Sequence, residues 1–281
     1  MALVTKRLEG HGKAAVRRAT APLRALPEFI VIGAQKAGTT SLFAYLTQHP
    51  DILPPSKKEV HFFDGGLRTP DDCFHRGVTF YRKHFPLQAR LRHGVKTFEA
   101  SPLYLFHPEV PARLESVLPD VRLIVLLRDP TERAISHYFH ESRYGRENLS
   151  IETAMAHEEA RLDPILRAVD YKNRVFRQAS YKARGRYQEQ LERFFARFPA
   201  RNIYIESSEA FFSRPQETVD GICDFLGIAR TVVLNDATPV NVATNRTDVP
   251  DSVYRTLDAY FAPHNEALFQ WLGRRFPWRA G

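Results

Sequence analysis

Cysteine is almost missing from the 281 residues: only Cys73 and Cys223 occur, with no CxxC spacing. That excludes a disulfide-stapled scaffold and a cysteine-built zinc site, and it favours a reducing compartment. Long apolar runs are missing as well. None approaches the ~18 to 20 residues that a membrane-spanning helix needs, and residues 1–27 lack the apolar core of a secretory signal. A soluble, cytoplasmic chain is the expectation. Acidic residues are the scarcer charge, 32 Asp and Glu against 40 Lys and Arg, for a formal net charge of +8. Such an excess suits a nucleotide, a sulfated or carboxylated glycan, nucleic acid or an anionic membrane face, and by itself chooses none of them. No internal repeat is found, and 43% hydrophobic residues over this length suffice to bury one sizeable core.

What is present is organised around Glu28 to Leu46, EFIVIGAQKAGTTSLFAYL. Phe29 to Ile32 is a short β-branched apolar run, Gly33 and Gly38 bracket a tight loop, and from Ser41 the apolar residues take helical spacing. A loop at the start of a helix turns backbone N–H groups and the positive end of the helix dipole towards one point, the way proteins hold phosphate-like anions. The spacing approaches that of the nucleoside-triphosphate loop, in which Lys and then Ser or Thr follow the second glycine. Here Thr39 and Thr40 follow Gly38, and the lysine, Lys36, lies inside the loop. The shift disfavours magnesium-dependent triphosphate chemistry and implies a different activated anion.

Further along, Gly94–Glu99 and Val121–Leu127 read as strands, the second apolar enough for a central place in a parallel sheet. Asp129-Pro130-Thr131-Glu132 has the form of a helix start, with Asp129 as cap, Pro130 at the first position and Glu132 reaching back, the helix running to about His140. Pro111–Leu118, Ile151–Leu166, Tyr187–Phe198, Pro215–Leu226 and Ser252–Leu272 read as helices, Asn202–Glu206 as a strand, and 229–252 as a surface loop. The alternation predicts an α/β fold: a P-loop-like three-layer arrangement with a central parallel sheet flanked by helices, spanning 28–281 and preceded by a basic N-terminal arm at 1–27.

Gln35-Lys36-Ala37-Gly38-Thr39-Thr40-Ser41-Leu42, and Arg128-Asp129-Pro130 with Arg133, Ser136, His137, Tyr138 and His140, resemble the two nucleotide elements of the sulfotransferases that use 3′-phosphoadenosine 5′-phosphosulfate (PAPS), in particular the heparan-sulfate branch. The resemblance implies that the first element holds the 5′-phosphosulfate and that Arg128 and Ser136 bind the 3′-phosphate. It also implies the product adenosine 3′,5′-bisphosphate (PAP) and no requirement for a metal. An arginine at the carboxyl end of a central strand suits that task in its own right, since a guanidinium grips phosphate with two parallel N–H groups. Lys58-Glu59-Val60-His61-Phe62-Phe63 resembles the family segment that supplies a catalytic glutamate and part of the acceptor site.

Sulfuryl transfer needs a base for the acceptor proton, a cation where charge develops on the bridging oxygen, and in-line geometry. Glu59 is the candidate base, Lys36 the cation, and His61 the rival base or an acceptor contact, the two sharing a face if the segment is extended. Two positions depart from the family. Glu99-Ala100-Ser101-Pro102-Leu103-Tyr104 has alanine where the family has lysine, and Thr244-Asn245-Arg246 is an approximate counterpart of a nucleotide-closing loop, with Arg246 its candidate contact. The acceptor, a hydroxyl or amine of a glycan or small molecule, stays open.

Two other classes compete. In a P-loop kinase or nucleoside triphosphatase, Leu126-Leu127-Arg128-Asp129 would be a strand ending in a magnesium-binding aspartate, against which stands Thr39 in place of the loop lysine. A non-enzymatic polyanion-binding protein would use the +8 charge, but the basic residues are dispersed and no recognition motif occurs. His137 and His140, three apart on a helix, lack a third metal ligand and are read as packing around the phosphate element.

Overall fold

The computed structural model describes residues 12–67, 71–92, 94–234 and 249–279. Its sheet has five parallel strands in the order β2-β3-β1-β4-β5: β1 Phe29–Gly33, β2 Ile52–Leu53, β3 Lys96–Ala100, β4 Arg122–Leu127 and β5 Ile203–Ser207. β1 lies at the centre with all five residues buried, which is why it reads as a continuous apolar run and not as an alternation. Phe29 pairs with Phe98 on one side, their rings stacked 5.0 Å apart, and with Arg122 on the other.

The helices, in chain order, are α1 (residues 12–19), α2 (Thr39–Leu46), α3 (Gly77–Arg82), α4 (Val110–Val117), α5 (Pro130–Arg143), α6 (Ile151–Ala156), α7 (Glu158–Arg167), α8 (Arg174–Gln178), α9 (Tyr187–Phe195), α10 (Ser208–Ser213), α11 (Pro215–Leu226) and α12 (Asp251–Leu272). Several boundaries differ from expectation. The predicted helix Ile151–Leu166 divides at His157 into α6 and α7, and α5 runs almost a turn past His140. β2 is not among the strands the sequence predicts, since Pro54 and Pro55 follow it at once. An edge strand of two residues, pairing with Lys96 and Thr97, needs no more than that.

From β1 the chain moves outward to β2 and β3, then crosses β1 to β4 and β5. The carboxyl ends of β3, β1 and β4 therefore meet where the strand order turns, which is where open parallel sheets bind their ligands.

Candidate active site

The register between β1 and β4 shifts between Val31 and Gly33, and the chain then turns into the loop. Lys36 and Gly38 take left-handed backbone, with φ of +74° and +92°. Gly38 has to be glycine for a second reason: a Cβ there would stand 2.8 Å from the Phe212 ring. Lys36 has no such freedom, so the loop holds a side-chain-bearing residue in a conformation that costs energy, as functional loops often do. α2 begins directly at Thr39, and its N-cap, Gly38, offers no side chain. No cap therefore competes with an anion for the N–H groups of the first turn.

Arg128, at the end of β4, is part of the same unit. Its Nη1 donates to the Lys36 carbonyl at 3.1 Å, and the Tyr187 hydroxyl donates to the Arg128 carbonyl at 2.8 Å. On the other side of the loop the buried Arg184 donates to the Gln35 side chain. Burial, then Arg128, Arg143 and Arg133, lower the Lys36 ammonium to about 8, with Glu141 acting the other way.

Asp129 caps α5, accepting the Glu132 N–H at 3.1 Å as the sequence predicts. Glu132 does not reach back, however. The Asp129 N–H goes to Glu209 at 3.0 Å, and Glu132 lies between the guanidinium groups of Arg128 and Arg279, each 3.4 Å away. Two cations attract the carboxylate more strongly than one neutral N–H. The second oxygen of Asp129 accepts the Arg279 N–H at 3.0 Å, so this carboxylate is engaged as a cap and strap and is not arranged as the magnesium ligand a kinase needs. Along α5, Arg133, Ser136, His137 and His140 fall on one face, and Ser136 is buried.

The Lys58–Phe63 segment is not extended at its centre: His61 has φ +56°. That turn brings Glu59 and His61 into direct contact, and with them Asp64, which the sequence reading missed. His61 Nδ1 is 2.6 Å from Asp64 Oδ2 and its Nε2 is 3.1 Å from Glu59 Oε2, while Lys58 Nζ donates to Glu59 Oε1 at 2.9 Å. The imidazole bridges two carboxylates. Burial works against its charge but Asp64 and then Glu59 prevail, raising His61 to about 9. For Glu59 burial is likewise outweighed, by the His61 hydrogen bond and Lys58, which lower it to about 2. The spacing Glu-x-His-x-x-Asp was the available clue to Asp64.

Beneath this chain of charges lies the Glu99-Ala100-Ser101-Pro102-Leu103-Tyr104 segment. The hydroxyls of Ser101 (2.6 Å), Tyr104 (2.7 Å) and Tyr81 all donate to the fully buried Glu99, whose pKa burial raises against their pull. The Ser101 oxygen then accepts the His61 N–H at 3.3 Å, and the Tyr104 oxygen accepts those of Phe62 at 2.8 Å and Phe63 at 3.3 Å. The buried Glu99 thus fixes, through Ser101 and Tyr104, three consecutive peptides of the Lys58–Phe63 segment.

His140 links the two halves of the site. Burial, then Lys36, Arg146 and Arg143, lower it to about 4, and Glu59 acts on it in the opposite sense. A neutral imidazole therefore stands in the field of both the anion loop and Glu59. Thr244-Asn245-Arg246, and with it the predicted contact of Arg246, lies outside the described residues. Among the described residues no helix is long and apolar enough to cross a membrane.

The Glu59–His61–Asp64 unit stabilises the fold only while its members are charged. His61 is raised from 6.5 to about 9, so its contribution is full below about pH 6.5 and is lost as pH rises through 9. Asp64 is lowered from 3.8, burial being outweighed by His61, so its contribution is full above that pH and is lost in acid. Asp64→Asn is expected to bring the His61 titration, followed by imidazole NMR, down towards 6.5 and to lower Tm most between about pH 4 and 6.5, where both contributions are full. A titration still near 9 would mean that Glu59 alone holds the proton.

An anion loop set against a carboxylate–imidazole unit at the turning point of a parallel sheet defines a class, an α/β transferase working on an anionic group. Residues 26–246 match the sulfotransferase domain. The chain belongs to that family and is an enzyme of sulfuryl transfer. It is 28% identical over 280 residues to heparan sulfate glucosamine 3-O-sulfotransferase 6 of Mus musculus, across 91% of this chain and 74% of that protein. It is 27% identical over 326 residues to the membrane-associated sulfotransferase kil1 of Dictyostelium discoideum, across 92% and 67%. A solved sulfotransferase from Alicyclobacillus acidocaldarius, 32% identical, superposes with a TM-score of 0.68 over 90% of this chain and 98% of that one.

Proposed function

We propose that the chain transfers the sulfuryl group of PAPS to a hydroxyl of a glycan, releasing PAP. The observation that carries this reading is the match of residues 26–246 to the sulfotransferase domain, and the contacts of Glu59 with Lys58 and His61, which keep it ionised, support it as the base. The mouse relative's name sets its own sulfate on a glucosamine hydroxyl, which supports an oxygen acceptor on a sugar; an amine or a small-molecule alcohol is the wider class.

In this reading Gln35 to Ser41 hold the 5′-phosphosulfate, Arg128 and Ser136 take the 3′-phosphate, and Arg246 is a further nucleotide contact. The acceptor O–H gives its proton to Glu59 as its oxygen bonds to sulfur. The bond from sulfur to the 5′-phosphate oxygen breaks, leaving its electron pair on that oxygen, where the Lys36 ammonium meets the charge. His61, held by Asp64, keeps Glu59 ionised and aimed. It is unsuited to be the base itself, because both ring nitrogens face carboxylates and the ring stays protonated up to about 9. No metal ligand is invoked. The free, buried Cys73 and Cys223, their thiols raised to about 11 chiefly by burial, suit a reducing cytoplasm.

Saturating PAP, at about 100 times its Kd, is expected to stabilise the fold by about 2.7 kcal/mol, several degrees in Tm. A larger shift with ATP and magnesium would overturn the donor assignment. Labelled PAPS offered with a panel of glycans, phenols, amines and aliphatic alcohols then identifies the acceptor; labelling of amines alone would overturn the hydroxyl.

A further inference from the structure

Away from the active site, a cavity of about 460 Å³ opens between α1 and the turn at Pro86 to Arg90. Pro54 and Leu87 give it an apolar floor, and Lys13, Arg17, Arg24 and Arg90 a cationic wall. Arg24 is only 8% exposed. Its Nε donates to Thr20 at 3.0 Å and its Nη1 to the Phe85 carbonyl at 2.7 Å, which leaves Nη2 without a partner among the described residues. No carboxylate among the described residues lies within ion-pair reach of these four cations.

The surplus of positive charge continues beyond the cavity. Lys83 is lowered to about 8 by burial and then by Arg76, Arg18 and Lys57, and His84 to about 3 by burial, Lys57, Lys83 and Arg17. Arg17 Nη1 donates to the Lys83 carbonyl at 3.5 Å, so Arg17 and Arg24 meet neutral oxygens and no carboxylate, and an anion can still be taken. Exposed apolar side chains add a second requirement. Val16, which lines the cavity, is 59% exposed, and Leu23, which does not line it but precedes Arg24 in the chain, is 67% exposed. A soluble polyanion would meet the charges and leave both apolar side chains in water. An anionic bilayer meets both, because its phosphates pair with the cations while apolar side chains enter the boundary with the acyl chains.

We infer that this face docks on an anionic membrane, with a lipid phosphate seated in the cavity against Arg24 and with Val16 and Leu23 entering the headgroup layer. The inference stands independently of the donor and acceptor assigned above.

The test is flotation with vesicles of phosphatidylcholine alone and of phosphatidylcholine mixed equally with phosphatidylglycerol. The protein is expected to float with the anionic vesicles only. Arg17→Gln combined with Arg90→Gln should lower partitioning on the order of 30-fold, at about fivefold per charge. Val16→Ser combined with Leu23→Ser, which leaves the charge unchanged, should lower it by about tenfold or more. These variants spare Arg24, whose bonds to Thr20 and Phe85 also hold the fold, and a circular-dichroism spectrum and Tm like those of the wild type check that each is folded. Equal partitioning to both vesicle types, or to neither, overturns the inference. So does a serine variant that binds as the wild type does while dextran sulfate displaces it, which would make the face a site for soluble polyanions.

Discussion

Glu59→Gln is expected to lower sulfuryl transfer by ~10² to 10⁴ while PAP binding stays unchanged, the range typical for loss of a general base. Glutamine keeps the length of the side chain and can still accept from His61 through its amide oxygen, so the geometry of the segment, fixed from below by Ser101 and Tyr104, should survive. What is lost is the lone pair that takes the acceptor proton. The wild-type carboxylate, lowered to about 2 mainly by His61 and Lys58 against burial, is a weak base in the free enzyme. In the proposed mechanism, proton transfer to it comes late, once sulfur–oxygen bond formation has made the acceptor proton acidic. His61→Ala is expected to cost less, since it loosens Glu59 without removing it, and to appear mainly in the KM for acceptor. Transfer assays with labelled donor, set beside PAP titrations, separate these effects. Near-normal transfer by Glu59→Gln together with an inactive His61→Ala would reverse the assignment.

The parts of the site that were legible in the sequence are those whose chemistry is local. Gly38 declares a loop because few residues other than glycine tolerate its backbone, and Asp129-Pro130 declares a helix start because both act on the turn they begin. Arg128 could be placed because an apolar run such as Val121–Leu127 has few options other than a buried parallel strand. What escaped depended on distant partners. Glu132 was expected to complete a capping box, but Arg128 and Arg279 claim it across 4 and 147 positions of chain, while Glu209 supplies the cap from another helix. Asp64 becomes a partner of His61 only because His61 turns into left-handed backbone, which no periodicity announces. Ala100 was noticed as a missing lysine, whereas the weight of its segment lies in Glu99, Ser101 and Tyr104, whose hydrogen bonds to the Lys58–Phe63 segment form only once β3 stands beside it. His140 looked like packing for the same reason: its nearness to Glu59 is a tertiary fact.

Lys36→Met should lower turnover at saturating donor by ~10² to 10³, the loss seen when a group that meets developing oxyanion charge is removed, and should weaken PAP by much less. The difference follows from timing, because the ground-state phosphosulfate already has the first-turn N–H groups of α2, and the 3′-phosphate has Arg128, while the extra charge on the bridging oxygen appears only as the bond to sulfur breaks. The pH dependence offers an independent check. The active form is the ammonium, lowered by burial and by Arg128, Arg143 and Arg133 to about 8, so kcat/KM should be level below that pH and fall as pH rises through it. Glu59, ionised above about 2, adds no acid limb in the ordinary range. Bound donor, being anionic, favours the ammonium, so the limb in kcat should lie at higher pH than the limb in kcat/KM. In Lys36→Met the limb near 8 should vanish, and Lys36→Arg should restore part of the rate without restoring the limb, since a guanidinium keeps its charge there while its planar head fits the loop crest less well. If Lys36→Met instead loses donor affinity alone and turns over normally once saturated, the lysine only holds the anion, and the charge on the leaving oxygen must be met by the N–H groups at the start of α2.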